Sequence, residues 1–271
     1  MSPGKHLLDR HPSLDYLAGA DADRAADLQA AWCDPTVAAV FCARGGYGSL
    51  RTMEHLDWTA MAAAPPKILV GSSDTTVLHT MLGARCDVVT MFAPMPATEA
   101  FAGGRVDQPT SAAERLRRVL FAPEGELVLR GPAAETLTGG RCAGVTVGGN
   151  LSLLVSQLGV PGLPPPPPAA IALIEDVGEA PYRIDRLVTH LLHAGWFDRA
   201  SGIALGSWDQ CGGDPAGVRR VLTDRLGGLG VPMIWEHGFG HGHDQLTVPL
   251  GVAAELDADA ATLTLLAPAL T

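Results

Sequence analysis

"KILVGSSDTTVLH", residues 67–79, joins an apolar strand to a helix through four small or polar residues, Gly71, Ser72, Ser73 and Asp74. The run Ile68, Leu69, Val70 has no polar alternation and reads as a buried strand. A turn of this composition admits two readings. In one, Ser73 or Asp74 caps the following helix by accepting from its first N–H groups. In the other, a serine stands up at the carboxyl edge of a sheet, beside helix N–H groups able to receive an oxyanion. The G-x-S-x-G pattern of a strained nucleophile turn is not met, because Thr75 occupies the second glycine position.

The neighbours of this stretch decide the fold class. Upstream, residues 21–34 read as a helix, and "VAAVFC" (37–42) is a short continuous apolar run, the mark of a strand buried on both faces. "RGGYGS" (44–49) then leads into a helix through Leu50, Met53 and Leu56, and "VVTMF" (88–92) follows the helix at 75–85. Strand, helix, strand at this spacing means right-handed crossovers and a parallel sheet. Only about three strands are in hand, fewer than the ~4–6 of an ordinary sheet. The half either borrows a strand from elsewhere or lacks its first strand and helix.

From 101 to 140 the pattern gives way to Gly, Pro, Arg and Glu, with one helix expected at 111–121. The second half opens on "AGVTVGGNLSLLVSQLG" (143–159), read as a strand, a Gly-Gly-Asn turn and a helix. "AAIALIED" is a buried strand ending in two acids. "RIDRLVTHLL" places Ile184, Leu187, Val188, Leu191 and Leu192 on one helical face. The tail reads as strands with a hairpin around Asp257–Asp259. The expected architecture is therefore α/β: an N-terminal parallel-sheet domain over 1–110, a connection over 111–140, and a β-rich α/β domain over 141–271.

Composition narrows the function. With 19 Lys and Arg against 29 Asp and Glu, the formal net charge is −10. Nucleic acid and anionic membrane both require a basic surface, so neither is expected as a partner. No apolar run reaches the ~20 residues of a membrane span. The start has charges throughout and no signal-like apolar stretch. The five cysteines lack C-x-x-C spacing, which together with the rest suggests a reducing cytoplasm. The only lysines are Lys5 and Lys67, leaving a serine–lysine catalytic pair almost without candidates.

Three other stretches bear chemistry. "RGGYGS" is a glycine-rich turn at a helix start, though neither G-x-G-x-x-G nor a Walker A sequence. "LIEDVGE" puts Glu175 where a strand ends, well placed to orient a histidine; loop acids in solvent would read the same way. "HGFGHGHDQ" carries His237, His241 and His243, which could ligate a metal or supply one general base. Without an HExxH helix the base is the more economical reading, and no metal or cofactor is expected. His79, His190 and His193 lie in predicted helices and read as structural. A hydroxyl needs a base at neutral pH, and the base needs an anion to fix its tautomer. Ser73, Glu175 and His241 supply the three parts, and spacing alone does not bring them together.

"FCARGGYGSLR", "GSSDTTVLH", "GGNLSLL", "IEDVGEAPYRIDRLVTHLLHAG" and "FGHGHDQLTVPLGVAAELDA" occur in the order found in the LD-carboxypeptidase family. On these motifs the chain resembles that family, which includes muramoyltetrapeptide carboxypeptidases and microcin C self-immunity proteins. The resemblance implies a cytoplasmic, metal-free serine peptidase with its site between two domains, and a homodimer. Its nucleophile falls on Ser73, its glutamate on Glu175 and its histidine on His241. The implied oxyanion donors are the N–H groups of Asp74 and Gly46. The implied reaction removes the terminal D-alanine from a murein tetrapeptide during cell-wall recycling. A self-immunity hydrolase of aminoacyl or peptidyl nucleotides is the alternative. It should offer aromatics for stacking, and residues 101–140 hold only Phe101 and Phe121. An inactive truncated remnant is a further alternative, because family members open with a strand and helix ahead of the helix at 21–34. Two local departures stand out: Ser72 replaces an aromatic, and "GHGHDQ" replaces a stretch with proline and asparagine.

Overall fold

A computed structural model of the chain describes residues 2–102, 111–125, 127–213 and 215–270. The first half runs α1 (Asp21–Cys33), β1 (Ala39–Phe41), α2 (Ser49–Thr52), α3 (Trp58–Ala63), β2 (Ile68–Gly71), α4 (Thr76–Cys86) and β3 (Thr90–Phe92). These three strands are parallel, as the crossover spacing requires. β1 lies at the edge of its sheet and all three of its residues are only half-buried, so an apolar run read as doubly covered is covered in part. Next come α5 (Glu99–Ala102), α6 (Ala112–Phe121), β4 (Val128–Leu129) and β5 (Glu135–Thr138). The expected domain limit at 110/111 falls at the end of 103–110, outside the described residues.

The second half runs β6 (Arg141–Asn150), α7 (Leu151–Ser156), β7 (Ala170–Val177), α8 (Pro181–His193), β8 (Ala200–Asp209), α9 (Pro215–Leu226), β9 (Met233–Trp235), β10 (Val248–Leu250), β11 (Ala253–Asp257) and β12 (Thr262–Leu265). Two sheets result. The smaller has the order β1-β2-β3-β10, the larger β4-β12-β11-β6-β7-β8-β9-β5. The middle of the large sheet, β6 to β9, is parallel, and antiparallel strands flank it on both sides. Two strands from the stretch read as a connection, β4 and β5, pair at its opposite edges.

The small sheet does borrow a strand. β10 pairs antiparallel with β3 in the register Val248 to Phe92 and Leu250 to Thr90. The segment joining β9 to β10 therefore leaves one sheet and enters the other, and it carries His241.

β7 shows why the large sheet is two-sided. Ile171 and Leu173 face a core shared with Phe92, Val248 and Leu250 of the small sheet. Their alternates, Ala172 and Ile174, face Ile184, Val188 and Leu191 of α8 and Val218 and Leu222 of α9. A full side chain of this kind contributes about 1.5–3 kcal/mol when buried. Both faces are thus filled, and function is left to the strand ends.

The Gly-Gly-Asn stretch is not a turn. β6 continues through Gly148 and Gly149 (φ 132° and 138°) to Asn150, whose side chain caps α7 at the Leu153 N–H, 3.2 Å away. A Cβ on Gly148 would overlap the Leu173 carbonyl of β7, and one on Gly149 would strike Thr76. Close approach of two strands and of α4 is what these glycines permit. Among the described residues, no helix is long and apolar enough to cross a membrane.

Candidate active site

The carboxyl end of β2 holds the first component. Ser72 is extended (φ −150°, ψ −177°) and buried, whereas Ser73 takes φ 61°, a left-handed conformation that a non-glycine residue adopts at a cost of about 1–3 kcal/mol. The turn is held by Thr75, which donates its hydroxyl to the Ser72 carbonyl at 2.9 Å. This is why a threonine serves where a nucleophile turn usually has its second glycine. Neither capping reading of Ser73 and Asp74 is met. The Asp74 carboxylate turns away from its own helix and accepts from the Ser49 N–H (2.9 Å) and hydroxyl (2.7 Å), capping α2. The two glycine-rich turns are thereby locked together.

Gly45 and Gly46 lie against this elbow with different roles. A Cβ on Gly45 would stand 2.7 Å from Ser73 Cβ, 3.0 Å from Ser73 Oγ and 3.4 Å from the Asp74 nitrogen. Gly46 has φ 114° and open space where a side chain would be. Gly45→Ala keeps an accessible backbone and pushes a methyl into Ser73. It is expected to cost about 1–3 kcal/mol of stability by overpacking and to lower kcat by at least about 10-fold through displacement of the serine. Chemical denaturation and initial rates measure both.

The second component sits at the end of β7. Glu175 is fully buried, and its Oε2 lies 2.7 Å from His241 Nδ1, while the imidazole remains 22% exposed. A carboxylate accepts, so Nδ1 carries the proton and Nε2 is left with its lone pair free to accept one. Asn150 Nδ2 donates to the other Glu175 oxygen at 3.2 Å and to Asp176 Oδ1 at 3.0 Å. Asp176 in turn accepts from the Ser152 N–H (3.0 Å) and hydroxyl (2.7 Å), repeating at α7 what Asp74 does at α2.

Burial raises the Glu175 carboxyl above its ordinary value, with His241 pulling the other way. Burial alone would lower the His241 pKa. The hydrogen bond and charge of Glu175, with Asp176 and Asp209 behind them, outweigh it and raise the imidazole overall. The pair is best treated as one coupled unit in which the imidazole holds its proton more tightly than usual.

One hydrogen-bonded path links the two components. Thr76, at the start of α4 just past Ser73, accepts the Asn150 N–H at 2.9 Å, and Asn150 reaches Glu175. Glu175 and His241 are in contact; among the described residues no hydrogen bond joins Ser73 to His241 directly. The three histidines of the glycine-rich segment part company. His237 is fully buried, its Nε2 3.1 Å from the Leu129 carbonyl, and burial brings its pKa down to about 4. His243 is exposed. His79 is buried on the Gly71 carbonyl at 3.0 Å, and His190 and His193 are exposed on α8.

Reading the sequence did not find Asn150, Gly45 or Ser207. Asn150 has an N-cap signature before "LSLLV", but its reach to Glu175 depends on the pairing of β6 with β7. Ser207 interrupts an apolar strand, the one local sign that it has a partner.

Family models described as the LD-carboxypeptidase N-terminal domain and the LD-carboxypeptidase C-terminal domain match residues 2–93 and 143–256. A Streptomyces coelicolor protein with a provisional carboxypeptidase name is 53% identical over 266 residues, spanning 98% of this chain and 83% of its own. A Bacillus subtilis protein named "Probable murein peptide carboxypeptidase" is 34% identical over 260 residues, spanning 94% of this chain and 78% of its own. A solved structure of the microcin C7 self-immunity protein MccF, an inactive mutant in its apo state, shares the fold, with a TM-score of 0.85 at 24% identity over 99% of this chain and 86% of that one.

Proposed function

Since the chain belongs to the LD-carboxypeptidase family, we propose that it is a serine carboxypeptidase that removes the terminal D-alanine of murein tetrapeptides. Ser73 is the nucleophile, His241 the general base and Glu175 the anion that orients it. The observation that carries this reading is the buried Glu175–His241 contact of 2.7 Å, linked through Asn150 and Thr76 to the turn that holds Ser73 at φ 61°.

In the first step Ser73 Oγ attacks the carbonyl carbon of the bond to the terminal D-residue, and its proton passes to His241 Nε2. The tetrahedral oxyanion is received by the N–H groups of Gly46 and Asp74, over the open space beside Gly46. His241 then returns the proton to the departing D-alanine amine. Water, deprotonated by the same imidazole, releases the shortened peptide from Ser73. Glu175 stays ionised while Nδ1 holds its proton.

The second reading, hydrolysis of an aminoacyl nucleotide, draws support from one observation. Tyr47, next to Gly46, is exposed and packs edge-on against the exposed Tyr16 with ring centroids 5.6 Å apart. Such a pair offers a face for a planar base.

The test is mass spectrometry of the protein after a fluorophosphonate probe and, separately, after a murein tetrapeptide. The expected result is one adduct on Ser73 and conversion of tetrapeptide to tripeptide, at a rate unchanged by a chelator. An adduct on Ser72, or loss of rate with the chelator, would sink the reading. An adduct on Ser73 without peptide turnover transfers the proposal to the aminoacyl nucleotide.

A further inference from the structure

Glu175 accounts for the ring of His241 and leaves its main chain to be explained. The residue follows Gly238 (φ 102°) and Gly240 (φ 130°), which flank Phe239. Glycines in left-handed conformations give a segment little stiffness of its own. Phe239 anchors one side by packing edge-on against Phe92 of β3, centroids 5.8 Å apart. The Leu246 N–H donates to the Gly238 carbonyl at 2.9 Å, and next to His241 itself the support comes from the end of β8. The Ser207 N–H donates to the Phe239 carbonyl at 2.7 Å, and the His241 N–H donates to Ser207 Oγ at 2.9 Å. Ser207 Oγ lies 2.6 Å from Asp209 Oδ2.

The direction of this relay is forced. A backbone N–H only donates and a carboxylate only accepts, so the single hydroxyl proton of Ser207 goes to Asp209 and a lone pair faces His241. The bond to a carboxylate is the stronger kind and fixes the hydroxyl rotor. A Cβ on Gly240 would overlap Ser207 Oγ and stand 3.0 Å from Glu175 Oε2. No side chain fits between the two anchors.

We propose that Ser207, backed by Asp209, is a positioning residue for the general base, holding the His241 main chain as Glu175 holds its ring. An imidazole tethered only at Nδ1 can pivot about that bond and carry Nε2 off line. Tethering its own N–H as well leaves one orientation toward Ser73. The charged groups facing the imidazole are Glu175 and Asp176 from β7 and Asp209 from β8. Glu236 has its carboxyl pushed up to about 7, by burial first and then by the charges of Asp209 and Glu135. The inference rests on the catalytic reading given above.

The experiment compares Ser207→Ala, Asp209→Asn and His241→Ala with the unaltered enzyme on a murein tetrapeptide across pH. Rates are normalised to the folded fraction by circular dichroism. Ser207→Ala is expected to lower kcat by about 10- to 100-fold, the scale of a misplacement near 1 Å, with KM within about twofold. Asp209→Asn keeps an acceptor for Ser207 and loses the charge, so the acid limb of kcat/KM moves to lower pH. A Ser207→Ala enzyme with kcat within about twofold of normal would overturn the inference. Should Ser207→Ala not fold, Asp209→Ala decides, because it removes the acceptor that fixes the Ser207 hydroxyl, and a kcat within about twofold of normal there overturns it. His241→Ala separates the two failures. Retained rate there defeats the catalytic reading, whereas an inactive His241→Ala beside a normal Ser207→Ala defeats this inference alone.

Discussion

Replacing Ser73 with alanine is expected to reduce kcat on a murein tetrapeptide by on the order of 10⁴- to 10⁶-fold, the range lost when the nucleophile of a triad is removed. The residual rate would come from the oxyanion donors, which the substitution leaves in place. Ser73→Gly should be equally inactive and should separate catalysis from stability. At φ 61° an alanine pays for its Cβ in the left-handed region and a glycine does not. The glycine variant should therefore resist urea better than the alanine variant, by about 1 kcal/mol. Ser72→Ala is the control. Ser72 is extended, and it is its carbonyl, not its hydroxyl, that holds the turn, so its rate should stay within a few-fold of normal. Tetrapeptide turnover and denaturation midpoints measure all three. A dead Ser72→Ala beside an active Ser73→Ala would reverse the assignment.

The second large effect is expected at Glu175. Glu175→Gln preserves the shape of a fully buried side chain and removes its charge. The amide can donate to Nδ1, which then places the imidazole proton on Nε2, the wrong nitrogen for a base. A loss of about 10⁴-fold in kcat is the scale of this tautomer error. The pH dependence has a definite sign. In the unaltered enzyme burial pulls the His241 pKa down, but Glu175 and its neighbours raise it overall, so the acid limb of kcat/KM lies above the ordinary imidazole value of about 6.5. Without the Glu175 charge the pull of burial gains, and the limb of the residual activity moves to lower pH. Stability follows linkage. A group whose folded pKa is raised adds stability below its unfolded value and loses it as pH rises through the folded one. Glu175→Gln should thus cost the most stability below about pH 6.5, where the unaltered protein gains from a charged His241 held against Glu175 and the variant does not. An unmoved limb, or full activity, would remove Glu175 from the mechanism.

The parts of this molecule that rest on local chemistry were legible in the sequence. The β2–α4 junction, the crossovers and the amphipathic face of α8 follow from short-range pattern, and each is present. What required the fold is long-range. Residues 248–250 look like one more tail strand, and only pairing with β3 makes them the fourth strand of the small sheet. Gly148 and Gly149 look like a turn because their partners, Leu173 and Thr76, are remote in sequence. Asp74 follows a serine at a helix start, so it reads as a cap for that helix. Its carboxylate instead finds Ser49, which no local rule could select. The same holds for the candidate site. Ser73, Glu175 and His241 could each be named from residue type and flanking strand ends, with the resemblance separating Ser73 from Ser72. The contact of Glu175 with His241, and the support given by Asn150 and Ser207, depend on which strands lie side by side.

The strand exchanged between the sheets also sets when the protein can begin to work. On the ribosome, β1, β2 and β3 emerge early, bearing the serine, while β10 emerges only after the whole parallel centre of the large sheet has been synthesised. Until then β3 offers an unpaired flank, the kind of surface on which half-made chains stick to one another. The nascent chain thus carries Ser73, the proposed nucleophile, for most of its synthesis without His241, the base proposed to activate it. The histidine lies in the same short segment that delivers the missing strand. On the proposed mechanism, completion of the fold and arrival of the base are one event, and a hydrolase built this way would be silent until it is whole.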